Sequence, residues 1–485
     1  MPTLIRRFHI DGETNDGMPY DLIIKNGRVV KTAGVFKGDL LVAEGKVVGI
    51  STSIQNVDAK HVIDAEDLFI LPGVIDPHVH LGSYSDQDFS ADLRSETSAA
   101  VVGGVTTLIC FLKAEGSYLN FAKTRIEQVE RNSLIDIAFH LILLDEIQIE
   151  EIPLYVKELG ITSFKFFRAP RGDTVSTIQG IDDGLLYRAF QKISKEEGCL
   201  AILHAEDLEI IREVSEKLRE EGRQDVQAWS ESRPPVCEEM SVCSGIILAR
   251  HMRVPLCIAH LSAANSLDYI AESKTKGFAL FVETCPHYLF LTKDSPFERG
   301  PFGKVNPPLR DSNDRDSLWK AIGRGIIDYI GSDHCPYTRE SKGKDLWTAK
   351  SGLPGISVLL PILLSEGVHK KRIRMEDVAR ICSYNPSKIF GLWPQKGMIE
   401  VGSDADLVLV DLERSVEVRA KYLHSHSDYS PYEGFKIKGW PVITICGGHV
   451  VYKDGRTFHD EKKGRYLSRK GSPEIWFKNG ESPRS

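Results

Sequence analysis

Residues 71–82 read LPGVIDPHVHLG, an apolar run that closes on Asp76, His78 and His80. Side chains two apart on a strand share a face, so the two imidazoles point the same way. Two rings in one small volume make either a solvated polar strand end or part of a metal site. Four later apolar runs carry groups of the same kind. Lys165 lies inside ITSFKFF, His204 ends LAILH, His260 follows PLCIA and Asp333 follows IIDYIGS. Taken singly, a strand-end histidine serves as a hydrogen-bonded polar cap, and an aspartate before a loop caps a helix. The lysine is harder to dismiss, because Lys is almost never fully buried unless paired.

Taken together, four histidines, one lysine and one aspartate suit two divalent metal ions. Imidazole and carboxylate are good zinc ligands, and manganese or iron fits the same donors. Two ions about 3.5–4 Å apart polarise a carbonyl and generate a hydroxide at neutral pH. Such a pair needs an anionic bridge, and an ammonium would repel both ions. A buried lysine is neutral when its pKa falls far enough, and it is then nucleophilic. Reaction with carbon dioxide turns it into a carbamate, a bidentate oxygen ligand.

These residues need elements that bring them to one place. Eight β-rich runs between residues 69 and 334 alternate with amphipathic stretches such as GLLYRAFQKISKEEG. That alternation predicts an α/β fold, a parallel (β/α)8 TIM-type barrel, whose active site lies at the C-terminal ends of its strands. A doubly wound open sheet is the other fold weighed. It usually carries a Gly-rich turn after its first strand, and none is present. The barrel is expected over 71–395. A small β-sandwich domain is expected from both chain ends, over 1–70 and 396–455, because each shows alternating strands and turns. Asn26-Gly27 reads as a hairpin turn and residues 44–46 as another. Residues 456–485 read as a polar tail that docks on a neighbour or stays mobile.

With 485 residues, the chain has ample material for a large core and more than one domain. A net charge of -7 gives no basic surface for nucleic acid. No apolar run approaches the roughly 20 residues of a membrane span. Nine cysteines, without a C-x-x-C pair or a secretory leader, fit reduced thiols in a cytoplasmic protein.

The motifs GVIDPHVHLG, ITSFKFF, HAED, IAHLS, ETCPHYL, KVNPPLR, GSDHCPY, SGLPGI and SPYEG, in this order, cover nearly the whole chain. This set resembles the amidohydrolase superfamily, in its cyclic amidase branch of hydantoinases, dihydropyrimidinases, allantoinases and dihydroorotases. The resemblance implies a carboxylated Lys165 bridging two metals, with zinc the family's preference. It implies His78, His80 and Asp333 on one metal and His204 and His260 on the other. Asp333 would take a proton from the attacking hydroxide and hand it to the leaving nitrogen. Asn306 and Ser351 match positions where the family contacts the ring amide, and they read equally as a turn residue and a loop hydroxyl. His334 would hydrogen-bond beside the metals. His287 reads as structural, and Cys335 lacks the partner arrangement of a nucleophilic thiol.

The substrate expected from the resemblance is a hydantoin- or dihydropyrimidine-type ring, opened by hydroxide attack on a ring carbonyl. Allantoinase-like activity, or action on another cyclic imide, lactam or ureide, is the alternative. Dihydroorotases carry an arginine where this chain has Gly82, which disfavours that activity. Hydantoinases carry a tyrosine where this chain has Pro170; Arg168 and Arg171 read either as its substitute at the oxyanion or as solvated side chains. The scaffold relatives of the branch have lost metal ligands, and here every ligand position is filled. A homodimer or homotetramer is implied, with the tail as one contact.

Overall fold

The computed structural model describes residues 20–55, 57–169, 180–297, 300–459 and 464–471. Eight parallel strands pair in sequence order: Val74–Val79, Val105–Leu112, Asp136–Ile142, Ser163–Phe167, Leu200–His204, Leu256–Ile258, Leu280–Thr284 and Tyr329–Ile330. Their residues are almost all buried, as strands covered on both faces must be. The last strand spans only two residues, so the loop after it completes the ring. His80 N donates to the His334 carbonyl at 2.9 Å, and His334 N donates to the His78 carbonyl at 3.3 Å. Barrel closure therefore runs through the residues that would carry the chemistry.

A second, nine-stranded sheet draws on both ends of the chain. One apolar run serves both sheets. Phe69–Pro72 pairs parallel with Tyr20–Lys31 and antiparallel with Leu407–Glu417. Two residues on, Val74–Val79 opens the barrel. The sequence-read turn at residues 44–46 is a hairpin with Glu44 and Gly45 both left-handed, at φ 51° and 72°.

The Asn26-Gly27 reading needs correction. Tyr20–Lys31 runs straight through both residues, and the chain turns only before Gly34. Asn26 takes φ 63° and its N–H donates to Asp39 at 2.8 Å, so the pair forms an irregularity within the strand. Of the tail residues that the structure describes, Arg456–Thr457 pairs with His449–Lys453 in the second sheet and residues 464–471 pack on this chain's own barrel. Leu467 N donates to the Ile137 carbonyl at 2.8 Å, Tyr466 OH to the Leu159 carbonyl at 2.8 Å, and Arg465 to Asp136 at 2.7 Å.

Candidate metal centre

The strand ends deliver their side chains to one cavity of about 280 Å³, lined by His78, His80, Lys165, His204, His260 and Asp333. All six are buried. His78 lies within the first strand and His80 just beyond it. The Nε2 atoms of both rings stand 3.1 Å from Asp333 Oδ1. One ligand atom from each of the three lies within 4.8 Å of the others. On the opposite side, His204 Nδ1 and His260 Nε2 are 2.9 Å apart. Such a pair of nitrogens offers either one N–H and one lone pair to each other, or two lone pairs to an ion.

Like His80, two more of these side chains lie outside regular strand. His260 follows its strand by two residues and Asp333 by three, and both backbones are left-handed, at φ 38° and 50°. Non-glycine residues avoid that region, at a cost of about 1–3 kcal/mol each, and such strain gathers at functional sites. The loops spend stability to aim these two groups inward.

Carboxylates behind the histidines choose which nitrogen faces the cavity. Glu283 Oε1 lies 2.7 Å from His78 Nδ1, which leaves Nε2 as the inward atom. Glu206 Oε2 lies 2.9 Å from His204 Nε2, which leaves Nδ1 inward, and Arg233 holds the same carboxylate oxygen at 2.7 Å. Neither glutamate was singled out from the sequence. Glu283 sits in ALFVETCPH, where the reasoning applied to Lys165, a charge inside an apolar strand, would have found it.

Lys165 is fully buried, between the rings of Phe111 and Phe167 at 5.1 and 5.5 Å. Its Nζ has no hydrogen-bond partner among the described residues. Burial pulls its pKa below the usual lysine range. An unpartnered buried amine beside two histidine pairs is anomalous unless a group satisfies it. Burial also keeps His260 and His204 below the usual imidazole range and takes His80 down to about 4. These rings are neutral and ready to ligate. Burial opposes the charged form of His78 too, but Glu283 and Asp333 hold it up to about 9, a place for a cation. The donor set, its burial and the orphaned amine fit two divalent ions.

The other sequence-read residues divide. Asn306 and Ser351 line the cavity, as does Cys335, whose thiol burial keeps protonated. His334 turns away from the cavity: its Nε2 meets Glu96 at 2.8 Å and its Nδ1 accepts from Gly355 N at 3.1 Å. His287 is buried against Tyr288, with ring centroids 4.1 Å apart. Arg168 is corrected as an oxyanion donor. Its Nε and Nη2 pair with Asp183 at 2.9 Å each and its Nη1 meets Ser244 at 2.5 Å. Pro170 and Arg171 lie outside the described residues. Gly82 has φ 71°, its N–H donates to Asp92 at 2.6 Å, and an added Cβ would meet Phe89 at 3.0 Å. A side chain of any kind, an arginine included, is strained there.

Barrel and site together define a metal-dependent hydrolase. The Amidohydrolase family profile matches residues 69–451. The D-hydantoinase of Geobacillus stearothermophilus is 35% identical over 92% of this chain and 96% of its own length. The L-hydantoinase of Paenarthrobacter aurescens is 31% identical over 93% and 98%. Among solved structures, dihydropyrimidinase from Brevibacillus agri NCHU1002 superposes with a TM-score of 0.86 at 33% identity, covering 92% of this chain and 98% of that one. The chain belongs to the amidohydrolase family, in its cyclic amidase branch.

Proposed function

We propose that the protein opens the ring of a hydantoin- or dihydropyrimidine-type cyclic amide, using two divalent ions, with zinc preferred. The observation that carries the reading is Lys165: a fully buried amine with no hydrogen-bond partner among the described residues, beside two histidine pairs. Carboxylated by carbon dioxide, it would become the anionic bridge. His78, His80 and Asp333 would hold one ion, and His204 and His260 the other. When bound, the ions polarise a carbonyl and lower the pKa of water.

The protein's own groups do the rest. Asp333 faces both His78 and His80, and these hold its carboxyl well below the usual range against the effect of burial. It therefore starts as a base, takes the nucleophile's proton and delivers it to the ring nitrogen as the C–N bond breaks. Asn306 and Ser351, on the cavity wall, would hold the ring amide. The names of the relatives support the substrate class. A cytoplasmic homodimer or homotetramer completes the reading. Among the described residues no helix is long and apolar enough to cross a membrane.

The test is a turnover screen of hydantoins of both hands, dihydrouracils, allantoin and dihydroorotate, with metal analysis of the same sample. Turnover of a hydantoin or dihydrouracil with close to two metals per chain is expected. Preferred turnover of allantoin would move the substrate to the ureide alternative. A folded, metal-free and inactive protein would overturn the reading.

A further inference from the structure

One wall of the cavity is irregular chain, residues 343–352, and contributes Thr348, Lys350, Ser351 and Gly352 to the lining. Irregular backbone has no ladder of its own, so its carbonyls need other donors. Two buried lysines supply them. Lys304 Nζ donates to the carbonyls of Leu346, Trp347 and Ala349 at 2.8, 3.3 and 2.6 Å. Lys342 Nζ donates to the carbonyls of Pro301, Lys304 and Lys350 at 3.4, 3.1 and 3.1 Å. Burial lowers both pKa values to about 7, and the ammonium is the form whose three protons match three carbonyls.

The two cations join two segments. Lys304 immediately precedes Val305 and Asn306, which line the same cavity. Gly352 N donates back to the Lys304 carbonyl at 3.1 Å. Lys304 Nζ also lies 3.9 Å from the Trp229 ring centroid, and Trp229 Nε1 donates to the Val305 carbonyl at 3.0 Å. Both lysines are at most 2% exposed. Neither forms an ion pair with a carboxylate among the described residues, although buried charges are normally paired. Carbonyl dipoles and one ring face replace the counter-ion. Neither lysine lines the cavity, so neither is placed to meet the reacting atoms.

We infer that Lys304 and Lys342 are positioning residues, whose ammonium groups shape the Asn306 and Ser351 wall that receives the substrate ring. The inference rests on the proposed function, and it locates ground-state binding in this wall and metal-centred chemistry at the strand-end histidines of the same cavity. Lys304→Met and Lys342→Gln, as full-length metal-loaded proteins, test it against the wild type. The substrate is whichever cyclic amide the wild type turns over best. Loss of the coordinating charge is expected to raise KM about tenfold or more, with kcat within about threefold. Two metals per chain should remain. Hydrogen exchange read by mass spectrometry should show protection lost in residues 343–352 and kept in the barrel strands.

A part in general stability alone would lower the melting temperature and leave KM unchanged, and that result overturns the inference. So does a joint collapse of kcat and metal content, or failure of both variants to fold. Should the wild type turn over no cyclic amide, the proposed function falls. The exchange pattern then still decides for or against the clamp.

Discussion

Two buried charge clusters, one at the barrel's strand ends and one where the barrel meets the second sheet, resemble each other in geometry. At one, His78, His80 and Asp333 bring three ligand atoms within 4.8 Å of one another. At the other, Asp136, Asp404 and Asp406 do the same. The difference lies in the lysine beside each. Lys396 Nζ stands 2.7, 3.0 and 2.5 Å from the three aspartates, and Arg465 adds contacts to Asp136 and Asp404 at 2.7 and 2.9 Å. Lys165 Nζ has no hydrogen-bond partner among the described residues. The aspartate cluster is already neutralised from within and has no place for an ion. The histidine cluster offers a neutral His80 and an ionised Asp333, beside an amine unsatisfied among the described residues. Proximity of ligand atoms does not define a metal site; the charge balance around them does.

The comparison breaks most visibly at its two lysines. Lys165→Ala should abolish turnover and lower metal content, and a short carboxylic acid with bicarbonate should restore part of the activity. Full activity without rescue would falsify the bridging role. Asp333→Asn should lower kcat by roughly 10²–10⁴-fold, since it removes a general base and acid. KM measured in the same assays should change far less, and an unaltered kcat would remove Asp333 from proton transfer.

Lys396→Met should leave three carboxylates buried without their cation, at a cost of about 3–5 kcal/mol in unfolding free energy by urea titration. Metal content of the folded protein should stay at the wild-type level; a matching loss of metal would mean the two clusters are one system. The pH dependence of that stability has a defined sign. Burial disfavours the charged lysine, but Asp406, Asp136 and Asp404 outweigh it and raise the Lys396 pKa above its usual value. Its contribution is therefore complete below the usual lysine pKa near 10.5 and is lost only as pH climbs through the raised value.

Glu283→Gln should weaken metal binding about 10–100-fold, read by competition with a chelator, because His78 loses the carboxylate that orients it. Unchanged metal affinity would leave Glu283 a packing residue. The smallest effect belongs to Gly82→Ala, about 1–2 kcal/mol of stability from a left-handed backbone, with metal content intact. A stability equal to wild type would show that the loop relaxes around the new methyl group.

Much of this was legible in the chain. The alternation of β-rich runs with amphipathic stretches specified a parallel barrel, because strands buried on both faces must read as continuous apolar runs. Polar residues at the ends of those runs specified a rim, and Lys165 within one of them specified an anomaly in need of a partner. The ordered motifs of the cyclic amidase branch marked the family. Residues 44–46 also announced their turn.

Other features depended on neighbours distant in sequence. Asn26-Gly27 carries a hairpin signal, but pairing with Gly34–Ala43 and a bond to Asp39 carry the strand past it. Glu283 is an ordinary acidic residue until folding sets it against His78, 205 positions away, and Glu206, two residues from His204, needs Arg233 to complete its setting. Arg168 could have faced the cavity, and Asp183 with Ser244 drew it away. The Lys304 and Lys342 clamp has no sequence signal, because a carbonyl is common to every residue. Local pattern determines which element forms and which face is buried. Only the tertiary structure decides which buried charges find partners within the protein: among the described residues Lys165 has no hydrogen-bond partner, while Lys396 has three carboxylates.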